Sequence, residues 1–374
     1  MIRVPTRWTD VQRVLAVRLD AMGDVLMTTP ALRAIHASVS GAHVTLLTSG
    51  AGAAVAPHVP EVTAWIGAEV SWMKSAPDDL SLDADRALVD RVRSGSFDAA
   101  IIFTVHSQSA LPAAVVCRMA GIPLRLAHSR ENPYGLLTDW VPEPEPDQPT
   151  RHEVERQLAL VATVGYRTED VTLSFRVPPE AARRVRSIAA DVGIASPRQW
   201  AVLHPGVSAP SRRYAPERFV DAGRRLAGDG WRIVVTGSAS ELDLAARVAR
   251  GIGPAAVSLA GELSLGELGA LLAIAPVLVS NNSGPVHLAA AVGTPVVDVY
   301  ALTNRQHTPW AVPNQVLSRE VPCAGCRRSV CPLGTNACLD VDPADVAAAA
   351  RRLALLDAGP RSVPVPSESP SALS

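Results

Sequence analysis

Two series of short apolar runs, each run followed by a longer segment of helical periodicity, constrain this chain more than any other feature. In the first series "RVLAVRL" leads into a helix at 30–39, "HVTLLTS" and "AAIIFTV" (99–105) follow, and the helix "ALPAAVVCRMAG" closes on Gly121, where a glycine C-cap fits. The acidic, Pro-rich "VPEPEPDQPT" (141–150) reads as an extended surface segment. The helix "RHEVERQLALVATVG" comes next, with Val154, Leu158 and Val161 on its apolar side. The pattern restarts at "QWAVLHPG" (199–206). "PERFVDAGRRLAGDG", "WRIVVTGS", "ASELDLAARVARGIG", "LGELGALLAIA", "PVLVSN", "SGPVHLAAAVG" and "TPVVDVYA" then alternate between helix and strand. Alternation of this kind predicts a parallel sheet covered by helices on both faces. With domains of about 100–200 residues, two series predict two Rossmann-like, doubly wound α/β domains, placed at 1–190 and 191–355. The Pro/Ser-rich remainder, 356–374, is expected to be disordered. In such folds a ligand sits at the carboxyl ends of the strands, here expected in the crevice between the halves.

Charge narrows the partners. The chain has 35 Lys plus Arg against 36 Asp plus Glu, a net charge of -1 and a pI of about 6.8, which argues against a nucleic-acid partner. Lys74 is the single lysine, so any anion site must rely on Arg forks, histidine or helix N-termini. No apolar run reaches the roughly 20 residues of a membrane span. "MIRVPTRWTD" lacks the apolar core of a signal peptide, so a cytoplasmic protein is expected, with peripheral contact at the inner membrane face left open.

Four loops carry chemistry. In "VRLDAMGDVLMTTPALRAI" Gly23 permits a sharp turn. Pro30 suits the first turn of a helix capped by Thr28 or Thr29, which leaves Asp24 as a carboxylate at the strand's carboxyl end and Asp20 without an evident task. "LVSNNSGPVHLAAAVGTPVV" (278–297) starts a helix within Asn282, Ser283 and Gly284, where free N–H groups can meet an anion and His287 can donate to a phosphate; an ordinary N-cap with a packed histidine fits equally. In "LHPGVSAPSRRYAPERF" Arg212 and Arg213 can clamp a diphosphate or simply be solvated. In "VVTGSASELDLA" Gly237 allows a tight turn and Glu241 can accept from ribose hydroxyls, or Ser238 or Ser240 can cap a helix. Neither a GxGxxG fingerprint nor a P-loop occurs, which weighs against a dehydrogenase or NTPase. Cys323, Cys326, Cys331 and Cys338 stand in "CAGCRRSVCPLGTNAC", a spacing compatible with a structural metal or with reduced thiols, whereas Cys117 reads as a small core residue.

These segments, with "FTVHSQSALPAAVVCRMAGIPLRLAHSRENPYGLLTDWVPEP" and "RHEVERQLAL", resemble glycosyltransferase family 9, the ADP-heptose:lipopolysaccharide heptosyltransferases, over about residues 12–355. The resemblance implies the GT-B architecture, with an N-terminal acceptor domain, a C-terminal donor domain and a final helix returning towards the first. It implies an inverting transfer from a nucleotide sugar, ADP-heptose, to a hydroxyl of a glycan or glycolipid acceptor, with no metal required for chemistry and no other cofactor. Carried over by position, it implies a general base at Asp24. The donor diphosphate falls to Ser283, Gly284, Pro285 and His287, a basic residue at Arg213 and a ribose acid at Glu241, with adenine gripped near Leu263. Many relatives carry Asp where this chain has Asn282, and Lys where it has Arg213. The first departure bears on the sugar, the second exchanges a point charge for a fork. An epimerase, a glycosyltransferase of exopolysaccharides or metabolites, a non-catalytic nucleotide-sugar binder and a cysteine-centred metal or redox protein are the competing readings.

Overall fold

The computed structural model describes residues 7–73, 79–147, 150–194, 199–356 and 371–372. The chain divides into two compact units, Met1–Ser174 with Pro366–Ser374, and Phe175–Val365. The division falls earlier than the boundary at 190/191 read from the sequence. The helix Pro179–Asp191 packs within the second unit: Arg184 Nε meets Glu267 at 2.7 Å, and the Phe175 ring lies so close to Gly269 that a Cβ there would collide with it.

In the first unit the strands are β1 (Arg13–Arg18), β2 (His43–Thr48), β3 (Ala64–Gly67), β4 (Ala99–Ile102), β5 (Leu124–Ser129) and β6 (Asp139–Pro142). All pair in parallel, in the order β3-β2-β1-β4-β5-β6. β1 is central and buried from Val14 to Arg18, as a strand covered on both faces must be. The helices are α1 (Met22–Ser38), α2 (Gly50–Val55), α3 (Leu82–Ser94), α4 (Leu111–Met119) and α5 (Glu153–Ala162). The core gathers Leu15, Val17, Leu47, Ile66, Val92, Ile102 and Cys117, and Cys117 is the packed thiol the sequence suggested.

α1 starts eight residues ahead of the expected Pro30. Neither Thr28 nor Thr29 caps it: Thr28 Oγ1 donates to Asp24 O and Thr29 Oγ1 to Leu26 O. Pro30 lies inside the helix, where its missing N–H would have bonded Leu26 O. The Thr29 hydroxyl, 2.7 Å from that carbonyl, supplies the donor the ring removed.

The second unit repeats the plan with β7 (Trp200–His204), β8 (Arg232–Val235), β9 (Ala256–Ser258), β10 (Leu278–Asn281), β11 (Val296–Val299) and β12 (Asn314–Leu317). Its order, β12-β11-β10-β7-β8-β9, is the same succession as in the first sheet. The helices are α6 (Pro179–Asp191), α7 (Pro216–Gly228), α8 (Leu242–Ile252), α9 (Leu265–Ile274), α10 (Gly284–Ala291) and α11 (Pro343–Ala354). α11 packs its Val346, Ala350 and Leu353 into the core of this unit. The expected disordered tail lies largely outside the described residues. Ser371 and Ala372 depart from it: they form β13, which pairs with Ala64 and Trp65 at the edge of the first sheet, where β3 has unmatched backbone groups to offer.

In each sheet the strand order reverses once, between β1 and β4 and between β7 and β10. Loops leaving such a switch point diverge and open a pocket at the carboxyl ends of the strands. Asp24 lies at the first switch point, Asn282 and His287 at the second.

Candidate active site

β1 ends on Arg18, whose side chain is 0% exposed and touches three carboxylates: Asp20 (Nε–Oδ2 3.0 Å), Asp24 (Nη2–Oδ1 3.0 Å) and Glu153 (Nη1–Oε1 2.9 Å). A guanidinium carries enough donors, in fixed directions, to serve all three. Asp24 stands in the first turn of α1, where the helix dipole favours an anion, and its Oδ2 accepts from the Ala21 N–H at 3.2 Å. Both of its oxygens are therefore oriented, yet its side chain is the most exposed of the three acids, at 17%. Glu153 is fully buried at the start of α5 and also accepts from Gln157. Asp20 is not idle: it takes Arg18 and a 2.6 Å hydrogen bond from Gln108 Nε2. Burial pushes its carboxyl up to about 6 against the opposing pull of Arg18. One cation among three acids leaves a surplus of negative charge, and Asp20 is the member that burial pushes towards the protonated form. Arg18 and Glu153 went unread in the sequence. Their signal is an arginine closing an otherwise apolar strand and an acid opening a helix, neither of which points to the other.

In the second unit the loop after β7 is fastened to β10 by Asn281. Its Oδ1 accepts from the Tyr214 N–H at 2.9 Å and its Nδ2 donates to Pro205 O at 2.7 Å. This buried staple was also unread; the sequence singled out its neighbour. Asn282 is buried too, and its amide nitrogen donates to Asp298 Oδ2 (3.2 Å) and His307 O (2.8 Å). The amide is thus turned towards β11 and the 307 loop. Burial raises Asp298 to about 8, opposed by the Asn282 hydrogen bond and by Arg212.

α10 opens at Gly284 and Pro285 without a side-chain cap, because Ser283 Oγ donates back to Asn281 O at 3.1 Å. Its first turn consequently keeps the partial positive charge of an uncapped N-terminus. His287 follows one turn in, 5% exposed, its ring edge-on to His307 at 6.5 Å. Arg213 is exposed, whereas it is Arg212 whose charge reaches Asp298 and Tyr300. Glu241 fills the capping role: Ser238 N and Oγ both donate to its Oε2, at 2.8 and 2.9 Å. Its carboxylate lies against Gly206, where a Cβ would overlap it, and Gly237 sits against its Cβ. Leu263 is half-buried in the loop between β9 and α9. Arg212 and Arg213 therefore stand on the loop after β7, Asn281 to His287 run from the end of β10 into the first turn of α10, and Gly237, Glu241 and Leu263 follow β8 and β9.

The four clustered cysteines carry free thiols and line one small cavity of about 20 Å³. Backbone N–H groups, that of Asn336 foremost, lower the Cys331 thiol, and burial raises Cys338. Among the described residues no group of three His, Cys, Asp or Glu side chains is arranged to hold a metal. The cysteine loop braces the arginine loop instead: Ser211 N donates to Ser329 O at 3.0 Å and Ser211 Oγ to Arg328 O at 2.6 Å.

Residues 86–336 match the model of glycosyltransferase family 9 (heptosyltransferase). The lipopolysaccharide heptosyltransferase 2 of Escherichia coli K12 is 25% identical over 306 residues, covering 79% of this chain and 85% of that protein. A glycosyl transferase family 9 structure from Veillonella parvula superposes with a TM-score of 0.75 at 19% identity, covering 93% of this chain and 98% of that one. The structure of E. coli ADP-heptose lps heptosyltransferase II does so at 0.70 and 22%, covering 92% and 99%. Two parallel α/β units of Rossmann order, a match to more than half of the chain and this likeness to GT-B heptosyltransferases make the chain a transferase of glycosyltransferase family 9.

Proposed function

We propose that this enzyme moves a heptose from ADP-heptose, with inversion, to a hydroxyl of a lipopolysaccharide-core acceptor, and that Asp24 is the general base. The observation that carries this reading is the held but accessible carboxylate of Asp24, fixed by Arg18 and the Ala21 N–H at the end of β1. In a single displacement the acceptor oxygen attacks the anomeric carbon as its proton passes to Asp24. The new C–O bond forms while the bond to the diphosphate breaks, and ADP leaves with that electron pair. The growing charge on the diphosphate is met by the N-terminus of α10, His287 and the Arg212–Arg213 loop, so the chemistry needs no metal. Glu241 and the loop at Leu263 receive ribose and adenine. No helix among the described residues is long and apolar enough to cross a membrane. A water-soluble donor and a lipid-borne acceptor suit work on the cytoplasmic side, at the inner membrane face.

ADP release from ADP-heptose with a core acceptor tests the assignment. Asp24→Asn should lower kcat by about 10²–10⁴-fold, the span of general-base catalysis, while calorimetry finds ADP bound as before. Near-normal turnover in that variant removes Asp24 from the role.

A further inference from the structure

We infer that Asp298, on β11, is a positioning residue for the donor: through the Asn282 amide it fixes the first turn of α10, where the diphosphate is received; this rests on the reading of that turn as the donor's anion site. A carboxyl stands out on this strand. β11 reads "VVDV", and its Val297 and Val299 belong to the core of the second unit. Side chains alternate along a strand, so Asp298 lies on the opposite face of the sheet, and it is 0% exposed there. In register it continues a row of buried polar side chains, His204 on β7 and Ser280 on β10, across the carboxyl ends of three strands. Its Oδ1 has no hydrogen-bond partner among the described residues, and its Oδ2 accepts from the Asn282 amide at 3.2 Å. A buried carboxyl so sparsely bonded costs the fold more than a valine would, so its use lies in the bond it does make.

That bond orients Asn282. The amide nitrogen donates to Asp298 Oδ2 and, at 2.8 Å, to His307 O. Both neighbours are acceptors, so the nitrogen must face them; an aspartate at 282 would bring no N–H to either. Asn282 stands two residues ahead of Gly284, where α10 begins, so a fixed amide fixes the entry of the helix. Tyr300, two residues beyond Asp298, secures the same loop from its other side. Its hydroxyl donates to Asn304 Oδ1 at 3.0 Å and accepts from the His307 N–H at 3.4 Å. The His307 ring in turn stands edge-on to His287, one turn into α10. The strand, the 307 loop and the start of α10 are thus held together, and Asp298 is the buried end of that arrangement. Burial raises its carboxyl to about 8, so at neutral pH it accepts from Asn282 without setting a negative charge beside an anion site.

Calorimetric titration of ADP into the full chain tests this, with the urea midpoint of each variant measured beside it. Asp298→Val suits the strand and removes the acceptor. ADP should bind it about tenfold more weakly, the effect of one hydrogen bond, at a urea midpoint no lower than that of wild type. Asp298→Ala repeats the measurement with a smaller side chain. Asp298→Asn keeps an oxygen for the Asn282 amide and should recover most of the affinity. In an Asn282→Ala background, Asp298→Val should weaken ADP binding no further, because its effect passes through that amide.

Three results overturn the proposal: ADP bound by Asp298→Val and Asp298→Ala as by wild type, Asp298→Asn as weak as Asp298→Val, or losses at 282 and 298 that add. A lower urea midpoint alongside the lost affinity in every Asp298 variant assigns the residue to folding and overturns it as well. His287→Ala separates this inference from the donor reading. Weaker ADP binding there, with unchanged binding in Asp298→Val, keeps the donor site and removes Asp298 from it; a wild type that binds no ADP removes both.

Discussion

Asp298 shows how one buried carboxyl sets a pH response. It is 0% exposed on β11, its Oδ2 accepts from Asn282, and burial holds it near 8 against an ordinary value of about 3.9. The folded form therefore keeps a proton that the unfolded chain has released once the pH passes about 4. Stability must fall as pH rises through the window from about 4 to about 8, by up to about 1.4 kcal/mol per pH unit from this group. Asp298→Asn keeps an oxygen for Asn282 and removes the titration. Its urea midpoint should gain on wild type progressively between about pH 5 and about pH 8; a constant gap would show that Asp298 ionises as an exposed acid does. Asp20, raised to about 6, gives a slope of the same sign in the first unit, and the comparison of the two proteins subtracts it. At this scale the sequence was least legible. Asp24, Ser283 and His287 could be named from their loops. Arg18, Glu153 and Asn281 could not, because what makes them matter is a partner up to 135 residues away.

At the scale of elements, the alternation of strands and helices was readable because burial on both faces of a parallel strand demands a continuous apolar run. Element ends were harder. Proline at the first turn is the usual reading, and it placed the start of α1 at Pro30. The real start, at Met22, has an alanine in the capping position and takes its support from the Asp24 carboxylate, so the familiar hydroxyl signal is missing there and appears misleadingly at Thr28 and Thr29. Thr29 does two other things. It donates to Leu26 O in place of the absent Pro30 N–H, and it accepts from the Ser174 N–H at 3.0 Å. Thr29→Val is nearly isosteric and strands a buried carbonyl and a buried N–H. It should cost about 2–3 kcal/mol in chemical denaturation, while Thr29→Ser should cost about 1 kcal/mol or less. Equal losses in the two variants would assign the effect to packing and leave the Pro30 site without its substitute donor.

For the whole molecule, the repeated strand order is the main fact. Each sheet reverses between its first and fourth strands, and each reversal is where the polar residues gather: Arg18 with its acids in one unit, Asn281 to His287 in the other. The proposed reaction divides along the same line, with the base on the first unit and the donor contacts on the second. The two units also have separate cores, one built on Leu15, Ile66 and Ile102, the other on Leu203, Ile233 and Val297. A ligand stabilises only what it binds folded, so ADP at a hundred times its Kd should add about 2.7 kcal/mol to the unit that holds it. Amides of β7, β8, β10 and β11 that exchange only through unfolding of their unit should then exchange about a hundredfold more slowly, while those of β1, β2, β4 and β5 keep their rates. Equal slowing in both sheets would mean that the units unfold as one. Slowing confined to the first sheet would put the donor on the wrong unit, and with it the roles of Glu241, His287 and the arginine loop.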